Sequence, residues 1–572
     1  ALSSAASDVY KRQQFGRFEM GVIEVKVDGK IEKFERKNRD YLLLSEIADE
    51  FNEAHDGVVT AAIKGKSICD LYEKVYNGEE VELLDFYNED GARVYFRGLS
   101  FVFITACRKL YEKVEVTVEH SLSNGVYYSM DIGRELTDKD IEDIKNKMRN
   151  IVAEDCPIKK VVMDKLDAGQ IFRILSREDK AELIENKDEE NAKIYVCEGY
   201  IDHFYGMMPP STKYMDVFDV VKYKKGVVLM GPSEDDALVP EKFIDQPKLS
   251  NIYDESEDWA AKLGVMNVID LNRIIESRES GDVIRTVEAL HEKKISQIAD
   301  MIKERNSRVI LIAAPSSSGK TSFAHRLSIQ MRVSGVKSRA ISLDDYFIER
   351  EHTPRKADGS YDYESINAID VEKFNEDMNT LLSGGEIEII RYDFKTGKRV
   401  FTGEMMSIGE NESIIIEGIH GLNPKLTAHI DDSKKFRIYI SALTQINLDS
   451  HNRIPTTDLR LIRRIVRDSN FRGYSAEETI KSWKNVREGE KENIFPYQEE
   501  ADAMFNSACV YEISVLKKYV EPLLKEVDPE SVEYIEAARI LSFIQYFATI
   551  EDVSDIPSTS IVREFIGGSK IV

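Results

Sequence analysis

From Met20 onward, apolar and polar positions alternate in "VIEVKVDGKIEKF". That predicts two strands around Asp28-Gly29, a dipeptide suited to a hairpin turn. "YLLLSEIADEFNEA" then spaces its apolar residues as a helix does. Strand-like runs follow in "GVVTAAIKGK" and "EEVELLDF", with a further turn expected at Asn88-Glu89-Asp90-Gly91. Residues 20–95 thus read as a small β-grasp domain. Residues 96–250 read as a second, α+β domain, in which "LTDKDIEDIKNKMRNIVAED" opens with Thr137 and Asp140 at capping-box spacing and continues as a helix. The charged "IENKDEENAK" reads as a solvated loop or helix end, and 251–305 as a helical linker. From Arg308 the rhythm becomes buried strand ("RVILIAA"), loop, helix, strand ("SRAISLDD"), with Phe323, Leu327 and Met331 forming one buried helix stripe. This order implies an α/β domain over 306–515, built on a mostly parallel sheet covered by helices. A helical extension over 516–572 completes the chain. The opening "ALSSAASDVYKRQ" resembles a translated sequencing adapter. Residues 1–19 are therefore set aside as a disordered or non-native leader, with the true start expected near Met20.

Composition narrows the classes. The 572 residues carry 78 Lys+Arg against 103 Asp+Glu, a formal charge of -25, and the field of such a chain repels nucleic acid and anionic membrane. Cys69, Cys107, Cys156, Cys197 and Cys509 form no CxxC pair, which points to reduced thiols in a cytoplasm. Val309–Ala314 is too short to span a bilayer, and no charged-then-apolar leader is visible. His291-Glu292 begins like a HExxH metal helix, but the fifth position is Ile295, so a solvated helix face is expected there.

The chemistry concentrates in "AAPSSSGKTS", Ala313 to Ser322. In a phosphate-binding loop, backbone N–H groups and a helix N-terminus converge on an anion. Ser316, Ser317, Ser318, Gly319, Lys320, Thr321 and Ser322 are the candidate nucleotide-binding residues: Gly319 for the tight turn, Lys320 for the outer phosphate oxygens, Thr321 for magnesium. Ala314 stands where the pattern has glycine and is tolerable if its φ stays negative. "ISLDDYF" puts Asp344 at the end of the next strand, able to take a proton from a hydroxyl and to help hold magnesium; a simple turn aspartate is the alternative. Glu417 ends a third strand, "SIIIEGIHG", and can orient the metal or anchor a loop. Arg460, Arg463, Arg464 and Arg467 recur at helical spacing, with Arg472 beyond. Singly each reads as part of a solvated, salt-bridged face; together they fit a lid that neutralises a transferring phosphoryl group.

The loop, "SLDDYF", "YDYESINAIDVEKF", "RYDFKTGKR", "IIIEGIHGL", "RLIRRIVRDSNFRG" and "FPYQEEADAMF" occur in the order seen in the uridine kinase/phosphoribulokinase family, so residues 306–510 resemble it. The resemblance implies transfer of phosphate from ATP, with Mg2+, to a small hydroxyl substrate, most often a nucleoside 5′-hydroxyl. It gives Lys320 and Thr321 the ATP–Mg roles and Asp344 that of base. Tyr392 and Phe394 become pocket residues, and Arg464, Arg467 and Arg472 the lid. Two positions depart from the family: its ribose-binding Asp is matched by Glu364, and its pyrimidine-contacting histidine falls at Gly397. A non-nucleoside alcohol therefore stays open as acceptor.

The first 250 residues resemble the N-terminal region of threonyl-tRNA synthetase: 20–95 its TGS domain, 96–250 its editing-type domain, through "NGVYYSMD", "LTDKDIEDIKNKM" and "YVCEGYIDHFYGMMPPST". The family's four polar site positions are Arg97, Phe101, Phe204 and Met208 in this chain, which leaves no metal-ligand set or acid/base cluster. His120 and His203 read as structural. The sequence therefore points to an ATP-dependent kinase carrying a synthetase-like module without its chemistry. The alternative is an ATP-binding regulator whose N-terminal module binds RNA or a protein.

Overall fold

The computed structural model describes residues 20–37, 39–52, 55, 57–356 and 359–572, so the leader expected over 1–19 lies outside the described residues. The chain divides into two compact units. The first comprises residues up to Asp164 together with Asn191–Ile244, and the second Lys165–Glu190 together with Asp245–Val572. Among the described residues no helix is long and apolar enough to cross a membrane.

In the first unit, Met20–Val27 and Lys30–Lys37 form the expected hairpin, with Asp28 (φ 48°) and Gly29 (φ 82°) both left-handed as a two-residue primed turn requires. The hairpin extends into a five-stranded sheet with Glu80–Leu84, Ala61–Lys64 and Ser67–Asp70. The turn expected at Asn88–Gly91 is instead the start of a helix, Glu89–Leu110. Asn88 Oδ1 accepts from the N–H groups of Asp90 (2.9 Å) and Gly91 (3.4 Å), so the turn-forming residues serve as an N-cap with an acidic first turn. The apolar run beyond decides the outcome, since Leu99, Phe101, Val102, Phe103 and Ile104 are all fully buried. The unit also holds a four-stranded antiparallel sheet, the helix Asp138–Ala153 with its Thr137/Asp140 capping box, and a three-stranded sheet.

The second unit is built on a five-stranded parallel sheet in the order Lys337–Ser342, Glu412–Glu417, Val309–Ala313, Lys435–Ser441, Ala503–Asn506. Val309–Ala313 is buried at every position, as a central parallel strand must be. Phe323, Leu327 and Met331 of the following helix, Lys320–Val333, are fully buried. The segment 251–305 forms helices Pro247–Leu263, Val268–Glu276 and Ser280–Arg305. His291 is not on a solvated face: it is fully buried between Trp259 and Phe505, with ring centroids 5.9 and 5.1 Å away. Burial pushes its imidazole down to about 3, so it is neutral packing material. Sequence spacing marked the helix but not which side the sheet would cover.

Candidate active site in the C-terminal unit

A parallel sheet delivers the C-terminal ends of its strands to one edge, where ligands sit. Three such ends matter here. Val309–Ala313 runs into the loop, Lys337–Ser342 into a short 3-10 turn carrying Asp344, and Glu412–Glu417 ends on Glu417. They meet at a cavity of about 600 Å³.

The loop turns through two left-handed residues. Ser317 (φ 61°) and Gly319 (φ 78°) are left-handed, whereas buried Ala314 keeps a negative φ, which is why a methyl group is accepted there. The buried hydroxyls of Ser317 and Ser318 have no hydrogen-bond partner among the described residues, and both residues line the cavity. The first turn of Lys320–Val333 follows at once, its N–H groups lacking intrahelical acceptors. Buried orphan donors at a helix pole are what a phosphate group satisfies, so the residues fit a nucleotide phosphate chain.

The helix Thr456–Arg467 holds this loop, and does so with arginines that are not solvated. Arg460 and Arg463 are 1% and 0% exposed, against the expected surface stripe. Arg460 forms a two-pronged pair with Glu490, and its Nη1 donates to the Ser316 carbonyl at 3.1 Å. Arg463 pairs with Glu512 at 2.6 and 2.7 Å and donates to the Ser317 carbonyl at 3.2 Å. Each guanidinium is matched by a carboxylate, which is what makes its burial tolerable. Local sequence could not reveal this, because the partners lie 30 and 49 residues away.

Of the candidate residues, Ser316–Thr321, Asp344, Glu364, Phe394, Glu417, Arg467 and Arg472 line the cavity. Arg464 stands behind the wall, its Nη1 donating to Ser316 Oγ at 2.8 Å. Ser322 is buried below it, and Tyr392 is 7% exposed, its ring 5.0 Å from Phe394 and 5.5 Å from Phe347. Arg464, Arg467 and Arg472 all converge on Asp468. A π turn over Asp468–Arg472, closed by left-handed Gly473, carries Phe471 and Arg472 to the cavity. Phe347, Tyr363, Phe471, Arg563 and Glu564 also reach the wall; the first three stand inside the family-like blocks without having been singled out, and the last two lie beyond them.

The acids are tuned by their surroundings. Crowding by protein atoms pushes the Asp344 carboxyl above its usual range, with Lys320 opposing; its surface is open to the cavity, so water tempers the push. Glu417, accepting from Ser342 Oγ at 2.9 Å, is raised by burial, again against Lys320. Burial first and the Glu490 carboxylate second push Glu364 up to about 7. At Gly397 (φ 70°), an added Cβ would stand 2.7 Å from Arg350, whose Nε donates to Tyr363 Oη at 3.1 Å. Arg350 therefore fills the space beside that position.

In the first unit the four synthetase-like positions are packed apolar or turned to backbone. Phe101, Phe204 and Met208 are buried, with the two rings 5.3 Å apart, and Arg97 Nη1 donates to the Met207 carbonyl at 2.5 Å.

The sheet, loop and helix together define an α/β P-loop kinase fold. Residues 309–514 match the model of the Phosphoribulokinase / Uridine kinase family. The N-terminal part is similar to threonine–tRNA ligases. One, from Caldanaerobacter subterraneus subsp. tengcongensis, is 29% identical over 186 residues, 32% of this chain and 28% of that protein. Another, from Natranaerobius thermophilus, is 30% identical over 146 residues, 26% of this chain and 22% of that protein. The chain thus spans about a quarter of the length of these curated relatives. A solved structure named as a possible uridine kinase, from Bacillus stearothermophilus, is 20% identical with a TM-score of 0.26, covering 37% of this chain and 98% of its own.

Proposed function

We propose that the chain is an ATP- and magnesium-dependent kinase of a small hydroxyl compound, with a nucleoside 5′-hydroxyl as the favoured acceptor. The observation that carries this reading is the convergence of the loop, Lys320, Asp344 and Glu417 with an aromatic, acid-lined wall in one cavity. The loop amides and Lys320 hold the donor's phosphates, and the buried arginine pairs keep the loop in shape. Thr321, Asp344 and Glu417 are the oxygen donors suited to magnesium. Magnesium on ATP supplies neutralisation of charge on the phosphate oxygens. Asp344 accepts the acceptor's hydroxyl proton. Arg467 and Arg472 offer positive charge to the phosphoryl group in flight, while Arg464 positions the loop through Ser316. Glu364, Tyr363 and Phe394 orient the acceptor. Catalysis would then rest on positioning and electrostatics.

Gly397 favours a second reading, a non-nucleoside alcohol: glycine has no side chain to read a base, and Arg350 beside it is tied to Tyr363 Oη and the Phe394 carbonyl. In the first unit the four packed positions support a binding or architectural role for the synthetase-like module.

Incubation with γ-labelled ATP, magnesium and a panel of nucleosides and simple alcohols separates these readings, with Asp344→Asn in parallel. A labelled nucleoside monophosphate made by the parent and lost in the variant supports the first. Label on an alcohol alone supports the second. ATP bound with no acceptor labelled would sink the kinase reading in favour of an ATP-binding regulator.

A further inference from the structure

Beyond residue 514, where the family match ends, the chain comes back to the phosphate loop. Ser560, Ile561, Val562 and Phe565 are fully buried. Ser560 Oγ donates to Glu288 Oε1 at 2.5 Å, and Asn470 Nδ2 donates to the Phe565 carbonyl at 3.1 Å. The Arg463 guanidinium that holds the Ser317 carbonyl also lies 4.9 Å from the centre of the Phe565 ring. Ile561 is pressed so closely on the loop that a Cβ at Gly319 would stand 2.4 Å from its Cγ2. Anchors of this depth make the segment a fixed part of the unit. Arg563, Glu564, Gly567 and Gly568 then form one wall of the cavity.

One contact in that wall bears on ligand binding. Glu564 Oε2 accepts a hydrogen bond from Ser322 Oγ at 2.6 Å. Ser322 lies in the first turn of Lys320–Val333 and is fully buried. That turn is the positive pole of the helix, where an anion is stabilised. Of the buried hydroxyls here, Ser317 and Ser318 stand open among the described residues, whereas Ser322 has given its single proton to a carboxylate of the chain itself. A phosphate arriving at this turn meets a like charge on the cavity wall, held in place by the Ser322 hydroxyl buried beneath it.

We propose that Glu564 is a built-in competitor for the nucleotide's phosphates, through which the segment Ser560–Ser569 sets the affinity of the loop. The inference rests on the phosphate-loop reading of Ser316–Ser322. Binding requires the Glu564 side chain to swing off Ser322 while the buried anchors stay in place. Glutamine at 564 keeps an acceptor for Ser322 and removes the charge.

The test is calorimetric titration of the full chain with Mg·ATP, comparing the parent with Glu564→Gln and Lys320→Ala. Tighter binding by Glu564→Gln is expected, about 2- to 30-fold, the range a charge at a helix terminus commands. Weaker or unchanged binding by Glu564→Gln, while Lys320→Ala abolishes binding, overturns the inference and leaves the loop reading standing. Indifference of binding to Lys320→Ala removes the phosphate-loop reading itself, and the inference with it.

Discussion

In the proposed kinase reading, Asp344 and Glu364 are the residues that a single substitution tests most directly. If Asp344 takes the acceptor's proton, Asp344→Asn lowers kcat by about 10²- to 10⁴-fold, a larger loss than that of Mg·ATP affinity by calorimetry, to which it adds one of three oxygen donors. Comparable losses in both would assign Asp344 to donor binding instead. Glu364 titrates where an assay can follow it, because burial and the nearby Glu490 carboxylate raise it to about 7. Below that pH it is a neutral acid, and above it a carboxylate with two acceptor oxygens. Acceptor KM should therefore fall as pH rises through about 7, and Glu364→Gln should flatten the profile. The same shift acts on stability. The folded state binds this proton more tightly than the unfolded chain does, so its contribution is complete below the usual 4.5 and is lost as pH rises to about 7. Asp344, Glu417 and the loop were legible in the sequence because strand ends and glycine spacing are local signals. Phe347 and Tyr363 stand in the family-like blocks without a local signal of their own, Glu564 lies outside them, and only folding brings all three to the cavity.

The helix Thr456–Arg467 shows how one motif divides its labour. Arg460 and Arg463 face inward and clamp the loop, while Arg467 and the π turn beyond carry charge to the cavity. Their substitutions should separate cleanly. Arg463→Ala leaves Glu512 buried without its cation and costs about 3–5 kcal/mol of stability, visible as a large drop in melting temperature. Arg472→Ala, at a half-exposed side chain, should leave the melting temperature nearly unchanged while lowering kcat. Equal melting losses in both would mean that Arg472 is structural. Helical spacing identified the element, yet inside and outside were decided by Glu490 and Glu512, which no local pattern connects to it.

On the scale of the whole molecule, the chain passes from the first unit to the second at Lys165, back at Asn191, and again at Asp245. Residues 165–190 therefore fold with the second unit although the sequence around them resembles the synthetase. Inside that unit Lys180 and Asp449 form a buried pair, 3% and 4% exposed, at 3.3 Å. Lys180→Ala in the full chain should lower the melting temperature, because it takes a buried cation from beside Asp449, which keeps its bonds from the His451 and Asn452 N–H groups and Asn452 Nδ2. A variant melting like the parent would show the excursion to be loosely attached. Residues 516–572, a plain helical extension in sequence, supply a wall of the cavity.

Sequence alone determined the period of each element, the phosphate loop, the parallel sheet and the two resemblances, because these depend on neighbours a few residues apart. It also set the acids at strand ends, where the backbone itself aims them. Tertiary structure decided which arginines are buried, that His291 is neutral, that Asn88 caps a helix, and that the last residues return to the loop. Those outcomes depend on partners tens to hundreds of residues away. Burial and charge pairing between such partners exist only once the chain has closed on itself.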